Sequence, residues 1–310
     1  MPNRIALTGA TGFIGGMIAQ RLIFGGWQVQ ALVRPTSIHK CSNKSPIKWI
    51  LGDLDDLASL RSLVHGADAV VHCAGAVRGF NPMDFERINT GGVARLVQAA
   101  TEQCPIPRFL LISSLAAREP HLSPYAASKQ KGEKALAAIS EKMMWSIFRP
   151  SAVYGPEDRE LFPLFQWMAK GVAPIIGGDE NRFSLLYGED LAEAVICWLH
   201  HGARSRCLYE LHDGHAGGYA WKEVVRIVSQ LHRKPIGRVN IPVSLLRFLS
   251  VLNVTAARIA GRAPMLTPGK VRELIHSDWV ADNTALMRDT KWAPKVTLAE
   301  GLRQTFRLGA

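Results

Sequence analysis

The sequence predicts an α/β protein built on a doubly wound parallel sheet, with a smaller, mostly helical second lobe. Two observations predict this class. In the first half of the chain, short β-rich runs alternate with longer segments of helical spacing. The first run leads directly into a glycine cluster, residues 9–16, and then into a helical pattern. Strands that alternate with helices form βαβ units, which give a parallel sheet with helices on both faces.

Each predicted element follows from its local pattern. Six β-rich runs are candidate strands: residues 4–8, 28–33, 47–51, 68–74, 108–114 and 145–149. Three segments between them have helical spacing: residues 13–24, 57–65 and 84–103. After residue 155, proline and glycine become more frequent and helical patterns dominate. We therefore predict a first domain at residues 1–155 and a smaller lobe at residues 156–310, part of which returns to the first domain.

Composition narrows the class of protein. The chain has 310 residues, of which 47 % are hydrophobic, so it can form a large core. Its formal net charge is +11. Its lysines and arginines are spread along the whole chain without a basic run interleaved with aromatics, so we expect no nucleic-acid partner. The five cysteines are scattered and form no C-x-x-C pair, which indicates neither a disulfide framework nor a metal site. We find no signal-peptide pattern and no apolar run of membrane length, and expect a cytoplasmic protein.

The glycine cluster has a physical use. Gly9, Gly12 and Gly15 follow a predicted strand and open a predicted helix. A dinucleotide pyrophosphate requires a tight turn, close approach of the backbone and the positive end of a helix dipole at this point. The spacing G-x-x-G-x-x-G by itself also occurs in ordinary strand-to-helix turns. The cluster therefore indicates a dinucleotide site only when further signals accompany it.

Such signals follow in order along the chain. The segment TGATGFIG at residues 8–15 strongly resembles the cofactor fingerprint of the extended short-chain dehydrogenase/reductase family, the NAD-dependent epimerase/dehydratase family. Later segments resemble its other landmarks: GDLDD at 52–56, VVHCAGAV at 70–77, INTGGV at 88–93, LLISS at 110–114, YAASK at 125–129 and FRPSAVYGP at 148–156. The resemblance spans nearly the entire chain. It implies an NAD(P)-binding Rossmann domain and an NAD(P)-dependent enzyme.

The resemblance also implies the site residues. By the family pattern, the catalytic residues are Ser114, Tyr125 and Lys129. Ser113 is a rival to Ser114, because alternation along a strand points the two side chains oppositely, and the family pattern favours the second. The last two catalytic residues are also expected to contact the cofactor, together with Gly9, Thr11, Gly12, Phe13, Ile14, Gly15, Asp53, Leu54, Ala74, Gly75, Ala76, Asn89, Pro150 and Val153.

The spacing of Tyr125 and Lys129 predicts their chemistry. Residues four apart on a helix share a face, so the ammonium of Lys129 is expected to lie near the phenol and to lower its pKa. A tyrosine whose pKa falls below its usual value near 10 can act as an acid or a base near neutral pH. Ser114 can hydrogen-bond the reacting oxygen. This set supports reversible interconversion of an alcohol and a ketone, with the hydride carried by nicotinamide.

The end of the second predicted strand bears on which dinucleotide is bound. An NAD site usually places Asp or Glu there to hold the ribose hydroxyls, whereas this chain has Arg34, whose fork suits a 2′-phosphate. We therefore favour NADP over NAD. Arg34 can alternatively stack on the adenine. Ser37 and Lys40 either assist it or are carried into solvent by the loop.

Two departures from the family pattern narrow the reaction. Dehydratases of the family carry an acid pair directly after the active-site Ser or Thr, where this chain has Leu115 and Ala116. Many epimerases of the family carry an Asn where this chain has Ala152. The remaining resemblance is to the branch of dihydroflavonol reductases and 3β-hydroxysteroid dehydrogenases, which act on bulky, often apolar alcohols and ketones. Two alternatives stay open, a nucleotide-sugar epimerase and a non-catalytic dinucleotide sensor or assembly subunit.

A predicted helix in the second lobe, residues 243–260, has several interpretations. One face is apolar and the other basic: Leu245, Leu249, Leu252, Ala256 and Ile259 against Arg247, Arg258 and Arg262. Such a stripe is most often part of the core, although it can also cover an apolar substrate or touch a membrane surface. We expect a small-molecule substrate and no membrane contact. The family resemblance implies a homodimer through residues 84–103 and 125–144.

Overall fold

The computed structural model describes residues 4–41, 46–139, 143–178, 180–201 and 204–307. The strands are β1 Arg4–Thr8, β2 Gln28–Val33, β3 Lys48–Leu51, β4 Ala69–His72, β5 Arg108–Ile112, β6 Trp145–Pro150, β7 Ala152–Tyr154, β8 Val172–Ile176, β9 Arg182–Phe183, β10 Leu185–Tyr187, β11 Cys207–Leu211, β12 Gly237–Ile241 and β13 Asp278–Trp279. The helices are α1 Phe13–Phe24, α2 Leu57–Val64, α3 Pro82–Phe85, α4 Gly92–Thr101, α5 Pro124–Ile139, α6 Phe162–Ala169, α7 Gly188–His201, α8 Trp221–His232, α9 Val243–Ile259, α10 Pro268–Ile275, α11 Thr284–Thr290 and α12 Leu298–Phe306. Residues 35–40 and 115–118 form 3₁₀ turns, and residues 86–91 form a π-helical turn between α3 and α4.

The main sheet of the described chain has seven parallel strands in the order β3-β2-β1-β4-β5-β6-β11. β1 pairs with β2 on one side and with β4 on the other, so the strand order reverses there. In sheets of this kind, ligands bind outside the carboxyl ends of the strands at such a reversal. The doubly wound fold predicted from the sequence is confirmed.

Apolar side chains cover both faces of this sheet. On one face, Ile5 and Leu7 of β1 pack with Leu22 of α1 and Trp198 of α7. On the other face, Ala6 of the same strand belongs to a cluster with residues of α2 and α4. Because successive strand residues point to opposite faces, this one strand contributes to both layers. The two clusters fix the helices on either side and leave the carboxyl edge of the sheet for the site.

The second half of the chain adds a separate apolar cluster and one strand of the main sheet. The cluster contains Tyr154, Phe165 and Leu302. Around it, β8 pairs with β12, β10 with β7 and β13 with β9, all in parallel. β11 instead pairs with β6, with Cys207 opposite Ser146. Residues 156–310 thus contribute both to the smaller cluster and to the main sheet.

α9 departs from the expectation that its apolar stripe lies in the core. Of its 17 residues, Leu246 and Ser250 are the buried ones. The stripe residues Leu245, Leu252 and Ile259 are 46 %, 49 % and 86 % exposed. The core interpretation of this stripe is therefore wrong, because the helix packs through its opposite face. Across the described ranges, no helix combines the length and apolar character that crossing a bilayer requires.

Candidate active site

The turn between β1 and α1 is as tight as the glycine spacing predicts. Gly9 has a φ of 80°, and a Cβ on it would lie 2.8 Å from the backbone nitrogen of Ala74. A Cβ on Gly15 would lie 2.1 Å from the carbonyl oxygen of Gly9, so neither position admits a side chain. Gly12 is the N-cap of α1 and supplies no capping side chain. The first amide groups of the helix therefore stay available to a phosphate.

The other residues predicted for this end of the cofactor lie beside the same turn. The ring of Phe13 lies 3.6 Å from the position that a Cβ would take on Gly155, just after β7. The turn is thus in contact with the segment that follows the sixth strand of the sheet. Of the other residues predicted here, Thr11, Ile14 and Val153 are half-buried, and Pro150 is buried.

The residues predicted to hold the adenosine end follow β2 and β3. Arg34 comes directly after β2, is exposed, and its side chain has no ion pair or hydrogen bond within the described part of the chain. Ser37 in the next turn is buried, whereas Lys40 is exposed. Asp53 is half-buried and Leu54 is buried after β3. At the carboxyl ends of β2 and β3, the guanidinium group of Arg34 is therefore available to a ligand.

Asn89 joins the loop after β4 to α5. Its Oδ1 accepts a hydrogen bond from the amide of Ala76 at 2.8 Å, and its Nδ2 donates to the carbonyl of Ala76 at 2.9 Å. The same Nδ2 donates to the hydroxyl of Ser128 on α5 at 2.9 Å. Asn89 lies in the π-helical turn, a feature often found at functional sites. This side chain therefore fixes Ala76, in the loop after β4, relative to α5.

The hydroxyl of Ser114 lies close enough to the phenol of Tyr125 to lower the pKa of that phenol. Ser114 follows β5, and Tyr125 is the second residue of α5. The ring of Phe85 packs edge-on against the Tyr125 ring, with centroids 6.3 Å apart. Ser113 is instead hydrogen-bonded to Glu133 in the interior. Strand alternation thus separates the two serines, and the one that meets the tyrosine is Ser114.

Lys129 lies one helical turn after Tyr125 and is buried. Its Nζ donates a hydrogen bond to the carbonyl of Ile112, the last residue of β5, at 2.8 Å. The same nitrogen is 3.7 Å from the position that a Cβ would take on Gly75. The amine therefore lies between the carboxyl end of β5 and the loop after β4, next to the strand-order reversal.

Burial controls the pKa values of this group. Burial raises the pKa of Tyr125 to about 12, while the nearby hydroxyl of Ser114 opposes that rise and the carboxylate of Glu273 adds to it. Burial also lowers the pKa of Lys129 to about 8. The expectation that Lys129 lowers the pKa of the phenol is not met in this structure, because burial dominates the pKa of Tyr125 and Lys129 is not among the groups that shift it. The phenol is therefore protonated at neutral pH.

Two acidic residues that sequence reasoning missed support the group. Glu133 is buried on α5 and accepts two hydrogen bonds from Arg149 of β6, at 2.9 and 2.6 Å. Glu273 of α10 is hydrogen-bonded to Ser123, two residues before Tyr125. The position of Glu133 four residues after the predicted lysine was an available signal for its proximity. No local pattern points to Glu273, which lies 150 residues from its partner.

Histidine side chains in the second lobe have structural partners. Nδ1 of His212 accepts a hydrogen bond from the amide of Gly214 at 3.1 Å, and its own amide donates to Asn283 at 2.7 Å. The ring of His215 stacks on Tyr219, with centroids 4.1 Å apart. Within the described residues, no group of three or more His, Cys, Asp and Glu side chains is placed to hold a metal ion.

Comparisons with known proteins agree with this geometry. The model of the NAD dependent epimerase/dehydratase family matches residues 5–209. Ceramide reductase of Caulobacter vibrioides is 32 % identical over 283 residues, which cover 91 % of this chain and 87 % of that protein. UDP-glucose 4-epimerase of Vibrio cholerae is 24 % identical over 331 residues, which cover 98 % and 95 %.

A solved structure shows the same fold. The crystal structure of UDP-glucuronic acid 4-epimerase from Bacillus cereus, in complex with UDP-glucuronic acid and NAD, superposes with a TM-score of 0.75 at 18 % identity and covers 98 % of both chains. At that identity the likeness concerns the fold alone. The family assignment comes from the sequence, through the match over residues 5–209 and the ceramide reductase relative. The chain belongs to the NAD-dependent epimerase/dehydratase family, whose members are NAD(P)-dependent enzymes of the extended short-chain dehydrogenase/reductase type.

Proposed function

We propose that this chain is an NADP-preferring reductase that interconverts a ketone and a secondary alcohol in a bulky, apolar substrate. The observation that supports the proposal is the position of Ser114, Tyr125 and Lys129 around the carboxyl end of β5: Ser114 affects the pKa of the Tyr125 phenol, and Nζ of Lys129 bonds the carbonyl of Ile112. A hydroxyl, a protonated phenol and a buried amine at one place are the groups that carbonyl reduction requires. The glycine turn fits the pyrophosphate of the dinucleotide, because its backbone leaves no room for side chains there.

Tyr125 supplies the proton in the reductive direction. Because its pKa is raised to about 12, the phenol is protonated at neutral pH and can act as a general acid toward the carbonyl oxygen of the substrate. Ser114, whose hydroxyl lies beside the phenol of Tyr125, stabilises negative charge as it develops on that oxygen. When bound, NADPH supplies the hydride for the carbonyl carbon. Tyr125 afterwards recovers its proton from solvent.

Lys129 positions the cofactor in this proposal. An ammonium group has three N–H donors, and one of them is used by the carbonyl of Ile112. The other two are available to hydroxyl groups of a bound dinucleotide. Because the pKa of Lys129 is lowered to about 8, its charge changes close to neutral pH. Binding of an anionic cofactor beside it favours the charged form.

Arg34 supports the preference for NADP. It follows β2, where a dinucleotide ribose lies in folds of this type, and its exposed guanidinium has no partner among the described residues. A guanidinium fork matches a phosphate in two hydrogen bonds. We expect Arg34→Asp to raise the KM for NADPH at least about tenfold while the KM for NADH changes little. A KM for NADPH that stays unchanged contradicts this role.

The substrate is proposed to be a lipid ketone, such as a long-chain keto amide. The ceramide reductase relative points to this class, since its alignment covers most of both chains. Exposed apolar side chains lie just before Phe85, whose ring contacts Tyr125: Val77 and Phe80 after β4, and Met83 in α3. Apolar side chains around the entrance favour an apolar substrate.

A nucleotide-sugar epimerase is the second candidate. The relative from Vibrio cholerae, aligned over nearly the full length of both chains, favours it. An epimerase of this type oxidises and reduces the same substrate in one cycle, so it consumes no cofactor in net terms. Ala152, where many family epimerases carry an Asn, argues against it.

The two candidates are separated by following NADPH. Purified protein is mixed with NADPH and a long-chain keto amide in detergent, and in parallel with UDP-glucose. We expect loss of one NADPH for each ketone reduced and no conversion of the sugar nucleotide. Conversion of UDP-glucose without net cofactor loss would falsify the proposal in favour of the epimerase.

Variants then test the roles of the residues. Tyr125→Phe is expected to lower kcat at least about a hundredfold, with NADPH affinity unchanged, because it removes only the acidic hydroxyl. Tyr209→Phe is the matched control, since it removes a buried hydroxyl that bonds Asp289 outside the site. Equal effects of the two substitutions would contradict the assignment.

A further inference from the structure

The outward side of α9 carries most of its large apolar side chains. The helix packs on the protein through Leu246 and Ser250. The α9 face, which we define as Leu245, Phe248, Leu249, Leu252 and Ile259, is between 42 % and 86 % exposed. These residues are spaced so that they fall on one side of the helix, opposite the buried pair. No described residue of the chain covers this face.

The chain around the α9 face is strongly basic. Residues 224–272 contain nine lysines and arginines and no aspartate or glutamate, so this stretch holds most of the chain's net charge of +11. Arg247 and Arg258 lie along one flank of the α9 face and are exposed. Their side chains have no ion pair or hydrogen bond within the residues that the structure describes. The face is therefore an apolar stripe with free cations beside it.

We propose that α9 docks on the surface of an anionic phospholipid bilayer. A helix that lies in the plane of a membrane interface combines an apolar face with basic flanks, as α9 does. The apolar side chains enter the boundary of the acyl chains, and Arg247 and Arg258 lie at the level of the lipid phosphates. This proposal reverses the expectation of no membrane contact, which assumed that the stripe was part of the core.

The charge distribution favours a membrane over a second copy of this chain. Two copies that met through the α9 face would bring Arg247 and Arg258 of one copy toward the same arginines of the other, and like charges at an interface oppose binding. An anionic bilayer complements the same charges. The apolar side chains supply the remaining attraction, because an exposed apolar patch of this kind usually marks a contact surface.

α9 is connected to the reactive end of α5 through α10. The amide of Leu266 donates a hydrogen bond to Oδ1 of Asn253 on α9 at 3.0 Å. In α10, Gly269 lies so close to Ser123 that a Cβ on it would be 3.0 Å from that of the serine. Glu273 of α10 bonds the same serine, two residues before Tyr125. Docking of α9 therefore places the candidate active site next to the membrane. If the substrate is a lipid, as proposed above, this placement lets the substrate reach the site from the bilayer.

Co-sedimentation of the full chain with vesicles tests the docking. Vesicles of phosphatidylcholine mixed with phosphatidylglycerol are compared with vesicles of phosphatidylcholine alone. We expect the chain to bind the mixed vesicles at least about tenfold more tightly, and the doubles Phe248→Asp with Leu252→Asp and Arg247→Glu with Arg258→Glu to lose at least about tenfold of that binding. Binding to neither kind of vesicle overturns the proposal.

Matched controls separate the α9 face from general surface effects. Phe24→Asp changes an apolar side chain that is exposed on α1, and Lys222→Glu with Lys291→Glu reverses two exposed charges outside residues 224–272. We expect both controls to bind mixed vesicles within about twofold of the parent chain. Controls that lose as much binding as the α9 variants overturn the proposal. Thermal melts are expected to coincide for all variants, because every substituted side chain is exposed.

Two further readouts distinguish this proposal from the proposed function. Reduction of the lipid ketone in detergent, without vesicle binding, would leave the function standing and overturn the docking. Vesicle binding without ketone reduction would support the docking and overturn the function. Sedimentation velocity without lipid adds a third outcome. If the chain binds no vesicles but forms a dimer, and the double variant Phe248→Asp with Leu252→Asp is a monomer, the α9 face belongs to a second copy and the docking proposal is overturned.

Discussion

Ser123, two residues before Tyr125, is hydrogen-bonded to the buried carboxylate of Glu273, which comes from α10 near the other end of the chain. The same hydroxyl accepts a hydrogen bond from the amide of Ala126 at 3.0 Å and so caps the first turn of α5. The carboxylate also contributes to the raised pKa of Tyr125. The smaller lobe therefore both fixes the reactive end of α5 and affects the acidity of its tyrosine.

Glu273→Gln is expected to shift the pH dependence of reduction. Glutamine keeps an acceptor for Ser123 but removes the negative charge, so the pKa of Tyr125 falls. Reduction requires the protonated phenol, and the rate therefore declines as pH rises through that pKa. We expect the alkaline limb of the kcat profile to move to lower pH. Glu86→Gln, which removes an exposed carboxylate paired with Lys131, is the control and leaves the limb in place.

Lys129→Met is expected to stabilise the protein at neutral pH while abolishing reduction. The pKa of Lys129 is lowered from 10.5 to about 8 in the folded chain, so the unfolded chain binds more protons between these values. Stability therefore rises with pH across that window. The buried charge costs about 3 kcal/mol at pH 7, and the lost hydrogen bond to Ile112 offsets about 1 kcal/mol of the gain.

Urea denaturation at neutral and at strongly alkaline pH measures this effect. We expect a net gain of about 2 kcal/mol in the free energy of unfolding at neutral pH, which disappears once the unfolded lysine is also neutral. Lys134→Met, an exposed lysine on the same helix, is the control and gives no pH-dependent gain. A variant of Lys129 that is less stable at both pH values argues against a buried charge at this position.

Local patterns predicted the first half of the fold well. α1 was predicted at residues 13–24, where the structure has it, because a glycine turn and helical spacing are local signals. β11 was not predicted, since residues 207–211 form a short edge strand in a half of the chain dominated by helical patterns. The predicted helix at 84–103 is built from α3, a π-helical turn and α4, and its spacing alone did not reveal the turn at Asn89.

The candidate site likewise has residues that local motifs predicted and contacts that only the folded chain reveals. Ser114, Tyr125 and Lys129 belong to short motifs, so the sequence indicated them. The direction of the tyrosine's pKa shift was wrong, because desolvation depends on burial that only the packed structure defines. The support from Glu273 depends on a contact across 150 residues, which no periodicity records. The apolar stripe of α9 was expected in the core, with an exposed stripe as the alternative, because an amphipathic pattern does not say which face meets the protein.

Gly15→Ala is expected to destabilise the chain by about 2 kcal/mol and to abolish NADPH binding, because the new Cβ would overlap the carbonyl of Gly9 at 2.1 Å. Gly16→Ala is the matched control one residue later. Its Cβ would meet the carbonyl of Ala10 at an ordinary 3.5 Å, and alanine favours the helix by about 0.5–1 kcal/mol. Thermal melts and NADPH titration measure both effects. A Gly15→Ala variant as stable as Gly16→Ala would show that the turn relaxes.

Glu133→Gln is expected to destabilise the chain by about 3–5 kcal/mol, because it leaves the charge of Arg149 buried without its partner. The two side chains are 6 % and 14 % exposed and join α5 to β6 behind the site. Glu102→Gln is the control, since it breaks a similar pair with Arg61 at the surface, where no change in Tm is expected.

A double variant, Glu133→Gln with Arg149→Met, tests whether the unpaired charge is the cause of that loss. Removing the buried guanidinium as well as the carboxylate leaves no uncompensated charge, so we expect the double variant to recover at least about half of the stability lost by Glu133→Gln alone. Urea denaturation of the three proteins measures the difference. If the double variant is the least stable of the three, packing and hydrogen bonds to Ser113, rather than the buried charge, account for the loss.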